Sequence, residues 1–163
     1  MSIEIERKFL LKSIPDLLPV EKIKIDQFYF KNKDGVWERA RQCDSDINEK
    51  KWTHTIKNRI SERVNEEIEK EITKKEFQKF KRKCYTNKLR AKHIKKDRLI
   101  YPDGELKWEV DIFRDNYHLV IAEIETPTED WDLKLPDFIS KKMLLEVTGM
   151  KQFSNRSLSI KLK

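Results

Sequence analysis

Pairs of like-charged residues two positions apart recur along this chain. Glu4 with Glu6 and Glu123 with Glu125 are acidic pairs, whereas Arg39 with Arg41 is a basic pair. The further pairs are Glu67 with Glu69, Lys96 with Arg98, and Glu109 with Asp111. Because alternate side chains of a β-strand point to the same face, each pair predicts a strand with one charged face. Arginine suits bidentate contact with phosphate, and carboxylates are typical ligands of Mg2+ or Mn2+.

These faces supply two sets of candidate residues. The cations that would match a ligand with several negative charges are Lys8, Arg39, Arg41, Lys57, Lys96 and Arg98. The acids that form an all-oxygen set for Mg2+ or Mn2+ are Glu4, Glu6, Asp111, Glu123 and Glu125. Burying so many unpaired charges is costly, so we expect them to line a wet cavity that holds compensating ions. A closed or nearly closed antiparallel barrel of about eight strands has an interior that can hold one ligand.

The elements that must position these residues are mainly strands, which predicts an α+β protein dominated by antiparallel β-structure. Asp103-Gly104 is a hairpin signal between two of the strands. A helix is predicted from 73 to about 90, because Thr73 and Glu76 form a capping box. A second helix is predicted over roughly 136–145. The period-2 segments are 3–9, 36–42, 52–57, 65–72, 107–112 and 119–125. A solvated outer face is the plainer interpretation of such strands, but scattered polar residues are more typical of it than same-sign pairs.

Length and composition narrow the class of protein. The 163 residues predict one domain spanning 1–163, and 40% of them are charged, with a net charge of +7. No run of about 18 apolar residues occurs, so neither a transmembrane helix nor a membrane partner is expected. Acids at Glu4 and Glu6 do not suit a signal peptide, which predicts a cytoplasmic protein. Cys43 and Cys84 lack C-x-x-C spacing and are interpreted as ordinary reduced thiols.

The basic surplus permits a nucleic acid, an anionic membrane or another polyanion as partner. The hypothesis of an RNA-binding protein rests only on this surplus and on the basic stretch at 79–83. The sequence lacks the aromatic-rich signature that is typical of single-strand binding. The sequence contains neither G-x-x-x-x-G-K-[ST] nor G-x-G-x-x-G, which excludes Walker and Rossmann phosphate sites at the level of motifs. A small polyanion with a divalent metal is therefore the expected ligand.

The E-x-E-x-K motif formed by Glu4, Glu6 and Lys8 resembles the signature of the CYTH superfamily, also called triphosphate tunnel metalloenzymes. The resemblance covers nearly the whole chain. It continues through Gln27-x-Tyr29, R-x-R at 39–41, T-x-K at 55–57, E-x-E at 67–69, K-x-R at 96–98, P-D-G-x-x-x-W-E-V-D at 102–111, A-E-I-E at 122–125 and E-V-T-G at 146–149. It implies an eight-stranded antiparallel tunnel whose bases grip a triphosphate and whose acids bind one or two metals.

Residue roles follow from the resemblance by position. The phosphate-holding residues would be Lys8, Arg39, Arg41, Lys57 and Arg98, together with Lys96. The metal ligands would be Glu6, Asp111, Glu123 and Glu125, with Glu4 close by. Glu67 and Glu69 would order the cations or position water, and Tyr29 matches a tyrosine proposed as a proton acceptor; with Lys8, these form the expected catalytic set. Members of the family are often dimers, so a homodimer is an open expectation.

One segment departs from the family pattern. After E-V-T-G the bacterial members usually read D-x-R-Y-x-N, whereas this chain reads Met-Lys-Gln-Phe-Ser-Asn at 150–155. Lys151 or Arg156 could replace the missing cation. The expected activity is metal-dependent hydrolysis of inorganic triphosphate or a related nucleoside or thiamine triphosphate. A class IV-type adenylate cyclase and a non-catalytic polyphosphate- or nucleotide-binding module remain alternatives.

Overall fold

A closed barrel of eight antiparallel strands organises the chain in a computed structural model, which describes residues 1–115 and 119–162. Around the barrel the strands follow the order β6-β2-β3-β4-β5-β1-β8-β7, and β7 pairs back onto β6. The predicted eight-stranded tunnel is therefore confirmed. The barrel strands are β1 (Ser2–Leu11), β2 (Glu21–Lys31), β3 (Trp37–Ser45), β4 (Lys51–Arg59), β5 (Val64–Glu71), β6 (Ala91–Asp103), β7 (Leu106–Phe113) and β8 (Leu119–Glu125).

Shorter elements flank the barrel. Two further strands extend its sheet: β9 pairs with β1, and β10 pairs with β6. Neither β9 nor β10 belongs to the closed ring. The flanking elements are α1 (Lys74–Thr86), α2 (Asp137–Ser140), β9 (Met143–Glu146), α3 (Asn155–Leu158) and β10 (Ile160–Lys161). Among the residues described, no helix has the length and apolar character needed to span a membrane.

Apolar side chains on the outside of the barrel form two separate cores. One is centred on Trp108, which lies 5.6 Å from Phe9 between ring centroids and is covered by the chain around Ile139. The other lies beneath α1, where Phe77 and Phe80 pack on β2 and β3. The predicted capping box begins α1, because Thr73 accepts from the backbone of Glu76 and Glu76 accepts in return. Because these two cores cover the outer faces of their strands, the charged faces of the same strands point inward.

A third apolar cluster lies on the inner side of the strands. Ile94, Phe113 and Ile121 are all nearly inaccessible and come from β6, β7 and β8. Phe153 and Leu158, from the C-terminal segment, pack against them. The C-terminal residues are thereby anchored by apolar contacts to the interior of the barrel.

The second predicted helix is largely wrong. Helix α2 ends at Ser140, and Met143–Glu146 form a strand beside β1. The reason is that β5 pairs only with the first part of β1, which leaves the backbone of Phe9–Leu11 to be satisfied by another strand. Arg7 fixes this pairing through two contacts with Glu146, of 2.8 and 3.0 Å. The first predicted helix is correct but shorter: α1 ends at Thr86, and a 3-10 turn covers Lys88–Arg90.

Candidate active site

The barrel encloses a cavity of about 530 Å3, lined by charged side chains of the inner strand faces and by residues of the C-terminal segment. Cross-strand register brings the charges together: Lys8 lies opposite Glu123, Glu6 opposite Glu125, and Arg39 opposite Tyr29. The predicted site residues that line this cavity are Glu4, Glu6, Lys8, Tyr29, Arg39, Arg41, Lys57, Glu67, Glu69, Arg98, Glu123, Glu125 and Arg156. The parity of charges in the sequence therefore identified residues that share one cavity.

Three arginines form the basic wall, and they are not equally neutralised. Arg39 donates to Thr55 at 3.0 Å and lies 3.6 Å from Glu67 and 3.5 Å from Glu69. Arg41 differs, since no carboxylate of the described residues lies within 4.0 Å of it, and its Nε donates to the Gln27 amide at 2.7 Å. Burial, reinforced by repulsion from Arg39 and Arg98, lowers the pKa of Arg41. An anion beside Arg41 would offset this burial and repulsion and so stabilise the charged guanidinium.

The acidic wall lies mainly on β1 and β8. The Nζ of Lys57 lies 2.7 Å from Glu4 Oε2 and 3.4 Å from Glu6 Oε1, and Lys8 Nζ lies 3.2 Å from Glu123 Oε1. Burial and repulsion from Glu123 raise the pKa of Glu6. Although burial opposes it, Lys8 together with Lys96 holds the pKa of Glu123 well below its usual range. The wall therefore carries more carboxylate than its two lysines neutralise.

The acidic wall fits a divalent cation in its chemistry. The ligands are all carboxylates, which suit Mg2+ or Mn2+, and the buried Oε2 of Glu4 makes no hydrogen bond of good geometry despite its closeness to Lys57. The positively charged Lys57 ammonium already lies among Glu4, Glu6 and Glu67, so this group of side chains attracts a cation. Within 1–115 and 119–162, however, no three acidic, histidine or cysteine side chains already converge as a metal-ligand cluster. The metal remains a prediction.

Lys96 and Asp111 do not line the cavity but form a buried charge cluster behind its wall. Lys96 is fully inaccessible; its Nζ lies 2.6 Å from Asp111 and donates to Asn155 at 2.9 Å. Arg98 binds both oxygens of Asp111, at 2.7 and 2.9 Å. Burial lowers the pKa of Lys96 to about 8, whereas Arg98 and Lys96 lower that of Asp111 although burial opposes it. Both oxygens of Asp111 are engaged, so in this arrangement Asp111 holds Arg98 in place, and its metal-ligand role stays a prediction.

Solved structures share this architecture. The inorganic triphosphatase NE1496 superposes with a TM-score of 0.60 at 23% identity, covering 99% of this chain and 97% of that one. HpAC1 from Hippeastrum, described as having a dominant triphosphatase activity, gives 0.54 at 20% identity over 77% and 80%. A conserved hypothetical protein from Pyrococcus furiosus gives 0.55 at 22% identity over 78% and 80%. This chain shares the fold of these proteins. No family model matches the sequence, and no curated protein matches it either.

The C-terminal segment is the part of the cavity that the sequence motifs predicted least well. Lys8 Nζ donates to the carbonyl of Phe153 at 3.3 Å, and Asn155 accepts from Lys96. Asn155 is the one residue that retains the usual D-x-R-Y-x-N pattern, so the signal was present in the sequence. Gly149 needs its φ of +75°, and an added Cβ would lie 2.9 Å from Glu62 Cβ. The segment 148–157 thus forms a wall of the cavity.

Glu67 should make the stability of the barrel depend on pH. Burial and the neighbouring Glu4 carboxylate raise the pKa of Glu67 to about 8, against 4.5 for the ordinary side chain. The folded state therefore keeps a proton that the unfolded state releases, and stability falls as pH rises from about 4.5 to 8. We expect Glu67→Gln to stabilise the protein by about 1 to 2 kcal/mol at pH 8 and by much less at pH 5. Urea unfolding with a chelator present measures both values.

The matched control is Glu71→Gln, since Glu71 lies on the same strand with an exposed side chain. It should change stability little at either pH. An equal gain for Glu67→Gln at pH 5 and pH 8 would contradict the assignment, because a pH-independent gain cannot come from a proton on Glu67.

Proposed function

We propose that this chain hydrolyses inorganic triphosphate, or a related nucleoside or thiamine triphosphate, and releases orthophosphate with Mg2+ or Mn2+ as cofactor. The observation that carries the proposal is Arg41, a cation inside the cavity without a carboxylate partner among the described residues, facing a wall with surplus carboxylate. A polyanion together with a divalent cation would neutralise both walls. Similarity in fold to the inorganic triphosphatase NE1496 and to HpAC1 supports the same activity.

In this proposal the basic wall holds the phosphate chain. Arg39, Arg41 and Arg98 present planar donors suited to phosphate oxygens. Arg98 is held from behind by Asp111, and Arg39 is oriented by Thr55, so neither guanidinium must be ordered anew when substrate binds. Arg156 lines the same cavity and packs over the Trp37 ring at 5.3 Å. A compact ligand with three linked phosphates suits a cavity of about 530 Å3.

Hydrolysis adds a water oxygen to the terminal phosphorus and breaks its bond to the bridging oxygen. Charge develops on the equatorial and bridging oxygens, and fixed cations that surround them lower the barrier. Lys8 and Lys57 lie beside the carboxylates, where they would contact the reacting end of the chain. A bound Mg2+ or Mn2+, held by Glu6, Glu123 and Glu125, would supply further charge neutralisation and an acidified water. Glu67 and Glu69 orient Arg39 from the other side.

A phosphate-release assay tests the proposal. The purified protein is incubated with tripolyphosphate, ATP or thiamine triphosphate in the presence of Mg2+ or Mn2+. We expect orthophosphate from at least one of them, and its loss in Glu123→Ala. The control is Glu105→Ala, an exposed residue in the turn between β6 and β7, which should retain the wild-type rate.

The other outcomes separate the alternatives. Cyclic AMP and pyrophosphate from ATP would identify a class IV-type cyclase. Tight binding of tripolyphosphate by calorimetry without any product would identify a binding module. No orthophosphate from all three compounds with metal present would reject the hydrolase.

A further inference from the structure

A chain of hydrogen bonds leads from the basic wall to Tyr29. Arg41 Nε donates to Gln27 Oε1 at 2.7 Å, and Gln27 Nε2 lies 2.9 Å from the Tyr29 hydroxyl. Arginine can only donate, so the oxygen of the Gln27 amide must face Arg41. The NH2 group must therefore face Tyr29, and the usual ambiguity in the orientation of a glutamine amide is removed.

This orientation determines what the Tyr29 hydroxyl can do. The Gln27 NH2 is a donor, so the phenol oxygen accepts and its own proton points elsewhere. Tyr29 lines the cavity, and its hydroxyl has no acceptor among the residues that the structure describes. The proton is consequently available to a ligand in the cavity.

The strands make this arrangement rigid. Gln27 lies directly opposite Arg41 in the pairing of β2 with β3, and Tyr29 lies two residues further along the same face of β2. Gln27 is fully buried and Tyr29 is 9% exposed. A fully buried amide with both ends engaged has little freedom to rotate, so the directions of Arg41 and Tyr29 are coupled.

We propose that Tyr29 is a hydrogen-bond donor to an oxygen of the bound phosphate chain, and that Gln27 is the positioning residue that turns the Tyr29 proton toward it. This inference rests on the proposed function for the nature of the ligand. It differs from the proton-acceptor role that the family resemblance implies for Tyr29, because Gln27 already occupies the phenol oxygen as a donor. Arg41 and Tyr29 then act as two donors aligned by one amide.

The test uses two substitutions at Gln27 that a structural role would rank in the opposite order. In Gln27→Glu the carboxylate still accepts from Arg41 but can no longer donate, so Tyr29 turns its proton toward residue 27. In Gln27→Leu the amide is lost, but the Tyr29 proton remains free for the ligand. We therefore expect Gln27→Glu to lower kcat for tripolyphosphate by at least tenfold and Gln27→Leu by less. Tyr29→Phe should lower kcat by about tenfold, as for one hydrogen bond to a charged group.

A double mutant isolates the part of the effect that passes through Tyr29, because the new charge in Gln27→Glu also acts on Arg41. In the Tyr29→Phe background, Gln27→Glu should cost about tenfold less than in the wild type. The same comparison is made on tripolyphosphate binding by calorimetry, so the inference does not depend on turnover. Thermal unfolding of each variant shows that it is folded.

Each outcome decides the point. Multiplicative effects of the two substitutions, or a larger loss in Gln27→Leu than in Gln27→Glu, would overturn the inference while leaving the hydrolase intact. Binding without turnover, with non-additive binding of the variants, would reject the hydrolase and support the inference. A wild-type protein that neither binds nor hydrolyses tripolyphosphate would overturn both.

Discussion

Arg41→Ala should reduce the kcat/KM for triphosphate hydrolysis by about 10^2- to 10^3-fold, the range found for single groups that stabilise developing charge. Arg41 is the basic-wall arginine without a carboxylate partner among the described residues, so its charge is the least satisfied before a ligand binds. Steady-state phosphate release measures the loss. Arg41→Lys should restore only part of it, because a lysine cannot make two parallel contacts with a phosphate.

Stability separates this effect from simple damage to the fold. Removing Arg41 relieves repulsion from Arg39 and Arg98, which offsets the lost bond to Gln27. We expect the melting temperature to stay within a few degrees of the wild type, as for a change well below 1 to 2 kcal/mol. The matched control is Arg114→Ala, since Arg114 pairs with Asp97 on an exposed surface and should matter to neither property. A large fall in melting temperature for Arg41→Ala would contradict a functional role.

Asp111→Asn should destabilise the protein by about 3 to 5 kcal/mol, the usual cost of leaving a buried charge without its partner. Asp111 neutralises two buried cations at once, Lys96 and Arg98, and all its contacts with them are 2.9 Å or shorter. Urea unfolding in the absence of metal measures the loss. Glu109→Gln is the control, because Glu109 also pairs with Arg98 but is 22% exposed, so its removal should cost about 1 kcal/mol or less.

A substitution of Lys96 tests this explanation of the role of Asp111. Lys96→Met removes one of the two charges that Asp111 serves, so Asp111→Asn should cost less in that background. If Asp111→Asn instead leaves stability unchanged and weakens Mn2+ binding, Asp111 is a metal ligand and its pairing with Arg98 is secondary.

The charged faces were predictable because side-chain parity is local information. Glu4 and Glu6 share a face whatever strand lies beside them, and the same holds for Arg39 and Arg41. Covered outer faces then force these pairs inward. The pairing of Arg98 with Asp111 was predictable too: the turn at 104–105 places Asp103 opposite Leu106, and counting back from there places Arg98 opposite Asp111.

Other features needed information that no local pattern contains. Met143–Glu146 is a short apolar run, which periodicity alone cannot assign to helix or strand. Its assignment depends on the open edge of β1, more than 130 residues away in the sequence. The contacts of Lys57 with Glu4, Glu6 and Glu67 likewise depend on barrel closure, so spacing indicated which residues meet but not which pair.

The position of β1 in the barrel has a consequence for how the protein is made. Ser2–Leu11 is synthesised before the other strands of the barrel, yet it pairs with β8 and β9, which follow it by more than 100 residues. The ring cannot close until β8 has left the ribosome, and pairings between such distant segments make folding slow. The acidic pairs of β1 and β8 therefore meet only in the final closing step. The apolar core around Trp108 forms in the same step, because it draws side chains from both of these strands.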